Sequence, residues 1–106
     1  MSAVLSFSQK VWQLTAQIPS GRVSTYGQLA LALGQPKASR AVGNALNKNP
    51  KAPQVPCHRV VRVGGQLGGY ALGSPAKAKI LRQEGIRIVN NKVANFEKVL
   101  YSNFLI

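Results

Sequence analysis

The sequence predicts a small α+β domain, mainly helical, of winged helix-turn-helix type with a small β wing. Three observations predict it. Residues 7–18, FSQKVWQLTAQI, place apolar side chains at helical spacing. Two further helical stretches, 26–33 and 36–48, are joined by a tight turn containing Gly34. Four glycines between 64 and 69 follow a short valine run, the mark of a loop rather than a core.

The elements follow in order. Phe7, Val11, Trp12, Leu14, Thr15 and Ile18 give the first helix one buried face, and Pro19-Ser20-Gly21 breaks it. Arg22-Val23-Ser24 is a short extended piece. Thr25 is placed to cap a helix over 26–33 that ends at Gly34. Pro36 suits the first turn of the next helix, 36–48. Residues 49–56, NPKAPQVP, hold three prolines and are expected to be irregular. Val60–Val63 reads as a strand, Gly64-Gly65 as a hairpin turn, and Gln66-Leu67 as the returning strand. Ser74 then caps, with Pro75 at the first helical position, a helix through Gln83–Glu84 that Gly85 stops. Ile86–Val89, Asn90-Asn91 and Lys92-Val93 read as a second hairpin, and Asn95 as the cap of a last helical turn.

Composition bounds the function. The 106 residues suit one domain, and 45% apolar content suits a globular chain. No apolar run is long enough to span a membrane, and MSAVLSFSQK lacks the pattern of a signal peptide. A single cysteine cannot form an internal disulfide, which fits a reducing compartment. A cytoplasmic location is therefore expected (with the nucleoid in a prokaryote, the nucleus in a eukaryote). One Cys and one His cannot fill a structural zinc site. Fourteen Lys and Arg oppose only Glu84 and Glu97, for a net charge of +12. Such a field attracts polyanions, nucleic acid first and anionic membrane second. Surface charge serving solubility is the plain alternative.

The chemistry-bearing pair is Cys57-His58, within PCHRVV: the only cysteine beside the only histidine. Thiolate is the reactive form of cysteine, and a histidine oriented by an acid can take the thiol proton. Only Glu84 and Glu97 are available as that acid. On a regular strand, neighbouring side chains point to opposite faces. The pair therefore needs a bend at Pro56 or a bridging water. Alternatively, Cys57 is a small buried hydrophobe and His58 a satisfied neighbour.

The pair has company. PCHRVV, GGY and K-x-x-x-L-x-x-E-G, preceded by Y-G-x-L-A and R-A-V-G-x-A-L, resemble the DNA-binding, active-site domain of the O6-alkylguanine–DNA alkyltransferases. The resemblance runs from about Phe7 to Gly85. It implies that Cys57 accepts an alkyl group from guanine O6, that His58 is the base acting through a water, and that Glu84 orients His58. Arg59 is implied as structural support or a phosphate neighbour. Tyr26 is implied to help rotate the target nucleotide, Arg40 to fill the gap left by the flipped base, and Asn49 to act as a hinge. Tyr70 and the backbone near Val60 are implied to meet the guanine, with Ala71 and Leu72 beside them. Ala38, Ser39, Ala41 and Gly43 are implied to keep the recognition helix small-faced toward the DNA minor groove, where readout is degenerate. Extruding a stacked base costs a few kcal/mol, which an inserted arginine offsets in part.

The implied partner is double-stranded DNA containing O6-alkylguanine, with no membrane, no cofactor and a monomeric state. Residues 1–106 are expected to form one alkyltransferase DNA-binding and catalytic domain, without the N-terminal domain of many relatives. In length and tail the chain is more similar to the alkyltransferase-like proteins. Those replace the cysteine, bind alkylated DNA and flag it for excision repair. Leu72, where some relatives have glycine, is expected to narrow the pocket against large alkyl groups. Ala52 stands where some relatives have proline. Two functions follow: single-turnover alkyl transfer to Cys57, or non-enzymatic damage sensing. A sequence-specific transcription regulator is a weaker third, because the recognition helix offers few base-reading side chains.

Overall fold

The computed structural model describes residues 5–50, 54–70 and 72–105. Helix α1 spans Phe7–Thr15. Ser6 caps it in a reciprocal box, with the Gln9 amide N–H donating to the Ser6 hydroxyl and the Ser6 N–H donating to the Gln9 side chain. The helix is shorter than its apolar spacing predicts. Gln17 and Ile18 bond back to Leu14 and Thr15, a tighter turn that still buries Ile18.

Strand β1, Ser24–Thr25, leads directly into α2, Tyr26–Ala32, which Thr25 caps through the Gln28 N–H at 3.0 Å. Helix α3 is Ser39–Asn47 and does not begin at Pro36. Ala38, with φ −96° and ψ 20°, closes a turn onto the Gln35 carbonyl before the helix starts. The α1–α3 contact is keyed by the Trp12 indole, which donates to the Ala45 carbonyl at 2.8 Å.

The expected hairpin over 60–67 is absent. Strand β2 is only Val60–Val61, and its partner is β1, in parallel, with Ser24 opposite Val60 and Thr25 opposite Val61. A parallel pair needs a long crossover, here α2 and α3. Both valines are fully buried, so β2 requires an interior neighbour rather than a solvent-facing return strand. Val63–Gly65 then coils as a 3₁₀ turn. At Gly65, with φ +97°, a Cβ would lie 3.2 Å from Phe96 and from the Val93 carbonyl, so a side chain does not fit without displacement.

Helix α4 spans Ser74–Gln83. Its N-cap is Gly73 rather than Ser74, whose hydroxyl instead donates to the Gly68 carbonyl at 3.2 Å. The second hairpin forms as expected: β3, Ile88–Val89, pairs antiparallel with β4, Lys92–Val93. Asn90 and Asn91 both take positive φ, as its two-residue turn requires. Helix α5, Phe96–Val99, closes the order, and Asn95 precedes it without a capping bond from its side chain. Val23 and Arg22 tie the following segment back, the Arg22 guanidinium donating to the Val99 and Leu100 carbonyls. No described helix is long and apolar enough to cross a membrane.

Two apolar clusters result. One gathers α1, α2 and α3 with Cys57 and Val60. The other gathers Val23, Val61, Leu67, Leu81 and the β3–β4 hairpin. Strand alternation sends Val60 to the first and Val61 to the second. Each valine contributes about 1.5–3 kcal/mol of burial, and β2 stands between both cores.

Candidate active site

The site is built on the three residues after Pro56. Cys57–Arg59 form a 3₁₀ turn, not a strand, so neighbouring side chains do not point to opposite faces. The turn is anchored from behind. The Val55 carbonyl accepts both the Cys57 N–H at 2.8 Å and the Asn49 side-chain amide at 2.9 Å. Asn49 thus ties the end of α3 to the segment entering the site.

Cys57 is buried and packs within the first core cluster. His58 is 2% exposed, with Nε2 3.1 Å from Glu84 Oε2. Burial lowers the imidazole pKa from its ordinary value, against the opposing pull of Glu84. The ring is therefore neutral at neutral pH. With the carboxylate facing Nε2, the proton sits there and Nδ1 keeps its lone pair. Nδ1 is buried and has no hydrogen-bond partner among the described residues.

Glu84 caps the end of α4, where Gly85 turns the chain with φ +91°. It is shared. Arg59 Nε donates to Oε1 at 3.0 Å and Nη2 donates to Oε2 at 2.5 Å, while Arg59 Nη1 donates to the Ile18 carbonyl at 2.8 Å. Burial works to raise the Glu84 pKa, but the bonds from Arg59 and His58 outweigh it and hold the carboxyl below its ordinary value. Arg59 is therefore a structural clamp, and its guanidinium is not free for a phosphate.

Tyrosines flank the thiol. Tyr70 meets His58 edge-on, ring centroids 6.4 Å apart. Burial raises its phenol pKa, and the charge of Cys57 adds to the effect. Tyr26 opens α2 and senses burial first, then Arg62, then Cys57. Tyr26, Ser39, Arg40, Gly43, Arg62 and Gly69 line a groove between α3 and the glycine loop. Ser39, Arg40 and Ala41 are exposed, while Ala38 packs partly against the first core.

Lys77, the first residue of the K-x-x-x-L-x-x-E-G motif, had no role assigned from the sequence. It is fully buried, and its ammonium donates to the carbonyls of Val60 at 2.7 Å, Leu67 at 2.5 Å and Gly69 at 3.2 Å. It also lies 5.8 Å from the centre of the Tyr26 ring. Burial pushes its pKa down to about 8, with Cys57 opposing and Arg62 reinforcing the shift. Among the described residues, no group of three His, Cys, Asp or Glu side chains is placed to hold a metal ion.

The family described as 6-O-methylguanine DNA methyltransferase, DNA binding domain, matches residues 6–86. The chain belongs to this family. A methylated-DNA–protein-cysteine methyltransferase of Methanosarcina acetivorans is 51% identical over 79 residues, 74% of this chain and 51% of that protein. Among solved structures, the Mycobacterium tuberculosis OGT in complex with DNA is 43% identical, with a TM-score of 0.73, over 77% of this chain and 51% of that one. S. pombe Atl1, in complex with damaged DNA containing O6-carboxymethylguanine, is 29% identical with a TM-score of 0.78, over 90% of this chain and 94% of that one. The chain spans about half the length, or less, of the curated relatives it matches.

In this methyltransferase-family domain, the fold brings Cys57, His58, Glu84, Tyr26 and Tyr70 together, and sets Arg40, Ser39 and Gly43 on the adjoining groove. Leu72 stands apart: it is 71% exposed and packs against neither core. Ala71 and Ala52 lie outside the described residues. The Val60 carbonyl faces the Lys77 ammonium. A signal for Lys77 was present: Lys77, Leu81 and Glu84 fall at i, i+4 and i+7, one face of α4.

Proposed function

We propose that this chain repairs O6-alkylated guanine in double-stranded DNA by moving the alkyl group to Cys57, once per molecule. The observation that carries the reading is the His58 ring, buried beside Cys57, with Nε2 3.1 Å from Glu84 and Nδ1 without a hydrogen-bond partner among the described residues. His58 Nδ1 takes the thiol proton through one water. Glu84 stabilises the imidazolium that forms. The sulfur then attacks the alkyl carbon, an S–C bond forms, and the C–O6 bond breaks. The electron pair leaves with guanine O6, and the base recovers a proton as ordinary guanine. The thioether persists, so the protein is consumed.

The guanine must leave the duplex to reach a buried thiol. In this reading Tyr26 turns the nucleotide, Arg40 enters the stack in its place, and Asn49 couples α3 to the reacting turn. Tyr70 lines the base pocket. The small side chains Ala38, Ser39, Ala41 and Gly43 let α3 approach the minor groove. The net charge of +12 supports a duplex as partner.

A second reading, a damage sensor that binds without transfer, is favoured by the Atl1 match, which takes in 94% of that protein. Intact-protein mass spectrometry after incubation with a duplex holding one O6-methylguanine separates the two. Transfer adds one methyl to the peptide holding Cys57, and Cys57→Ala binds the duplex but gains no mass. Tight binding with no mass gain on the wild-type chain overturns the transferase and leaves the sensor.

A further inference from the structure

The groove beside the thiol holds two arginines, and only Arg40 has a role in the reading above. Arg62 lies across from α3, at the exit of β2. Its backbone is pinned. The Arg62 N–H donates to the Gln66 carbonyl at 2.8 Å, and the Gly65 N–H donates to the Arg62 carbonyl at 3.0 Å. Val60 and Val61 just before it are fully buried, so the side chain emerges from a fixed point.

Its stem is shaped by a glycine. A Cβ at Gly68 would lie 3.3 Å from Arg62 Cγ, 3.5 Å from Arg62 Nε and 3.2 Å from the Tyr26 hydroxyl. Gly68 itself has φ +72°. The bare backbone there gives Arg62 and the Tyr26 hydroxyl a shared bed at the mouth of the pocket. The charge of Arg62 accordingly acts on both Tyr26 and Lys77.

Arg62 differs from three of its fellow arginines. Arg22 and Arg82 commit their guanidinium groups to carbonyls of the fold, and Arg59 commits its own to Glu84 and Ile18. The Arg62 guanidinium makes no hydrogen bond or ion pair among the described residues, and the residue is exposed. None of the residues lining the groove is acidic. A positive fork rising from a pinned backbone beside a tyrosine hydroxyl, with no partner of its own among the described residues, suits one ligand chemistry: a phosphodiester.

We propose that Arg62 grips the backbone phosphate of the extruded nucleotide, across the groove from Arg40. The proposal rests on the base-flipping reading above. A rotated base drags its sugar and phosphate toward the pocket mouth. Arg40 occupies the emptied stack, while Arg62 holds the displaced backbone. Arg59, three residues earlier, cannot do this, because Glu84 occupies it.

The test uses the full chain and a duplex with one O6-methylguanine. Affinity is measured from about 50 to 200 mM salt for wild type, Arg62→Ala, Arg62→Lys and Arg87→Ala. Arg87 is exposed and does not line the groove, so its loss controls for net charge. Losing one phosphate contact lowers the slope of log affinity against log salt by about 0.9. Arg62→Ala shows that loss, Arg62→Lys restores most of it, and Arg87→Ala keeps the wild-type slope. Arg62→Ala also slows transfer from the duplex about three- to tenfold more than transfer from free O6-methylguanine base, which has no phosphate. An unchanged slope for Arg62→Ala overturns the proposal, as does an equal drop for Arg87→Ala or equal slowing on the free base. If the wild-type chain transfers no alkyl group from either substrate, the transferase reading fails, while the salt slopes still decide the role of Arg62.

Discussion

The Lys77 ammonium lies 2.7 Å from the Val60 carbonyl oxygen and donates to it from full burial. Two more carbonyls, of Leu67 and Gly69, complete its surroundings. One side chain on α4 thereby joins β2 to the glycine loop that leads to Tyr70.

This cation makes stability depend on alkaline pH. Its folded pKa, about 8, lies below the ordinary lysine value of 10.5, so the unfolded chain holds the proton more tightly between them. Stability from this group therefore rises with pH from about 8 to about 10.5, and is lost as pH falls through 8. Denaturant titrations of wild type and Lys77→Met at pH 7.5 and pH 9.5 provide the comparison. The difference should move toward wild type at the higher pH, by about 1–3 kcal/mol. A constant difference, or one moving toward the variant, removes Lys77 as the titrating group.

Glu84 is predicted to matter for both stability and chemistry. Glu84→Gln leaves the Arg59 guanidinium without a counter-charge and removes the anionic partner of His58. The cost is about 2 kcal/mol for a partly exposed pair. Since the Glu84 pKa is lowered, its contribution is present above the ordinary glutamate value and is lost as pH falls through the depressed one. Urea titrations should show wild type and Glu84→Gln converging as pH drops from 6 to 3. Methyl transfer at pH 7, followed by mass spectrometry, should slow in the variant by about tenfold or more. Transfer at the wild-type rate would sink the orienting role.

Arg40→Ala tests extrusion of the base. The side chain is exposed on α3, so the substitution leaves the fold intact to within about 0.5 kcal/mol. Transfer from duplex should slow by about tenfold or more relative to transfer from the free base, because only the duplex requires a filled gap. Parallel single-turnover rates on the two substrates give the ratio. Equal slowing would place Arg40 in the chemistry or in the fold instead.

Local signals were the legible ones. The spacing of Val11, Leu14 and Ile18, the cap at Thr25 and the stop at Gly85 marked the helices because each depends on neighbours a few residues away. Asn90-Asn91 announced its hairpin for the same reason. The β1–β2 pairing was illegible: two residues face two others across α2 and α3, and Val60–Val61 looks alike in a hairpin or in a crossover. Within the site, the adjacency of Cys57 and His58 was plain, but the choice of Glu84 over Glu97 came only with the family resemblance. Its distance from His58 is set by how α4 packs, not by any local rule. Lys77 stood in a quoted motif but without a role, because a lysine on a helix is ordinarily solvated and only tertiary structure supplies three carbonyls to receive it. Arg59 and Arg62 could not be told apart by type, since the difference between them is which one Glu84 reaches.

The division of β2, one valine to each side, has a mechanical consequence. A molecule with two apolar clusters can ordinarily come apart in two steps, each half melting on its own. Here the halves own a strand in common, and pulling Val61 from its surroundings disturbs Val60 and the turn bearing Cys57 one bond further back. The domain is thus expected to unfold as one cooperative unit, its seam lying next to the Cys57–His58 pair. Heat or denaturant should dismantle both clusters and the thiol's environment in the same transition.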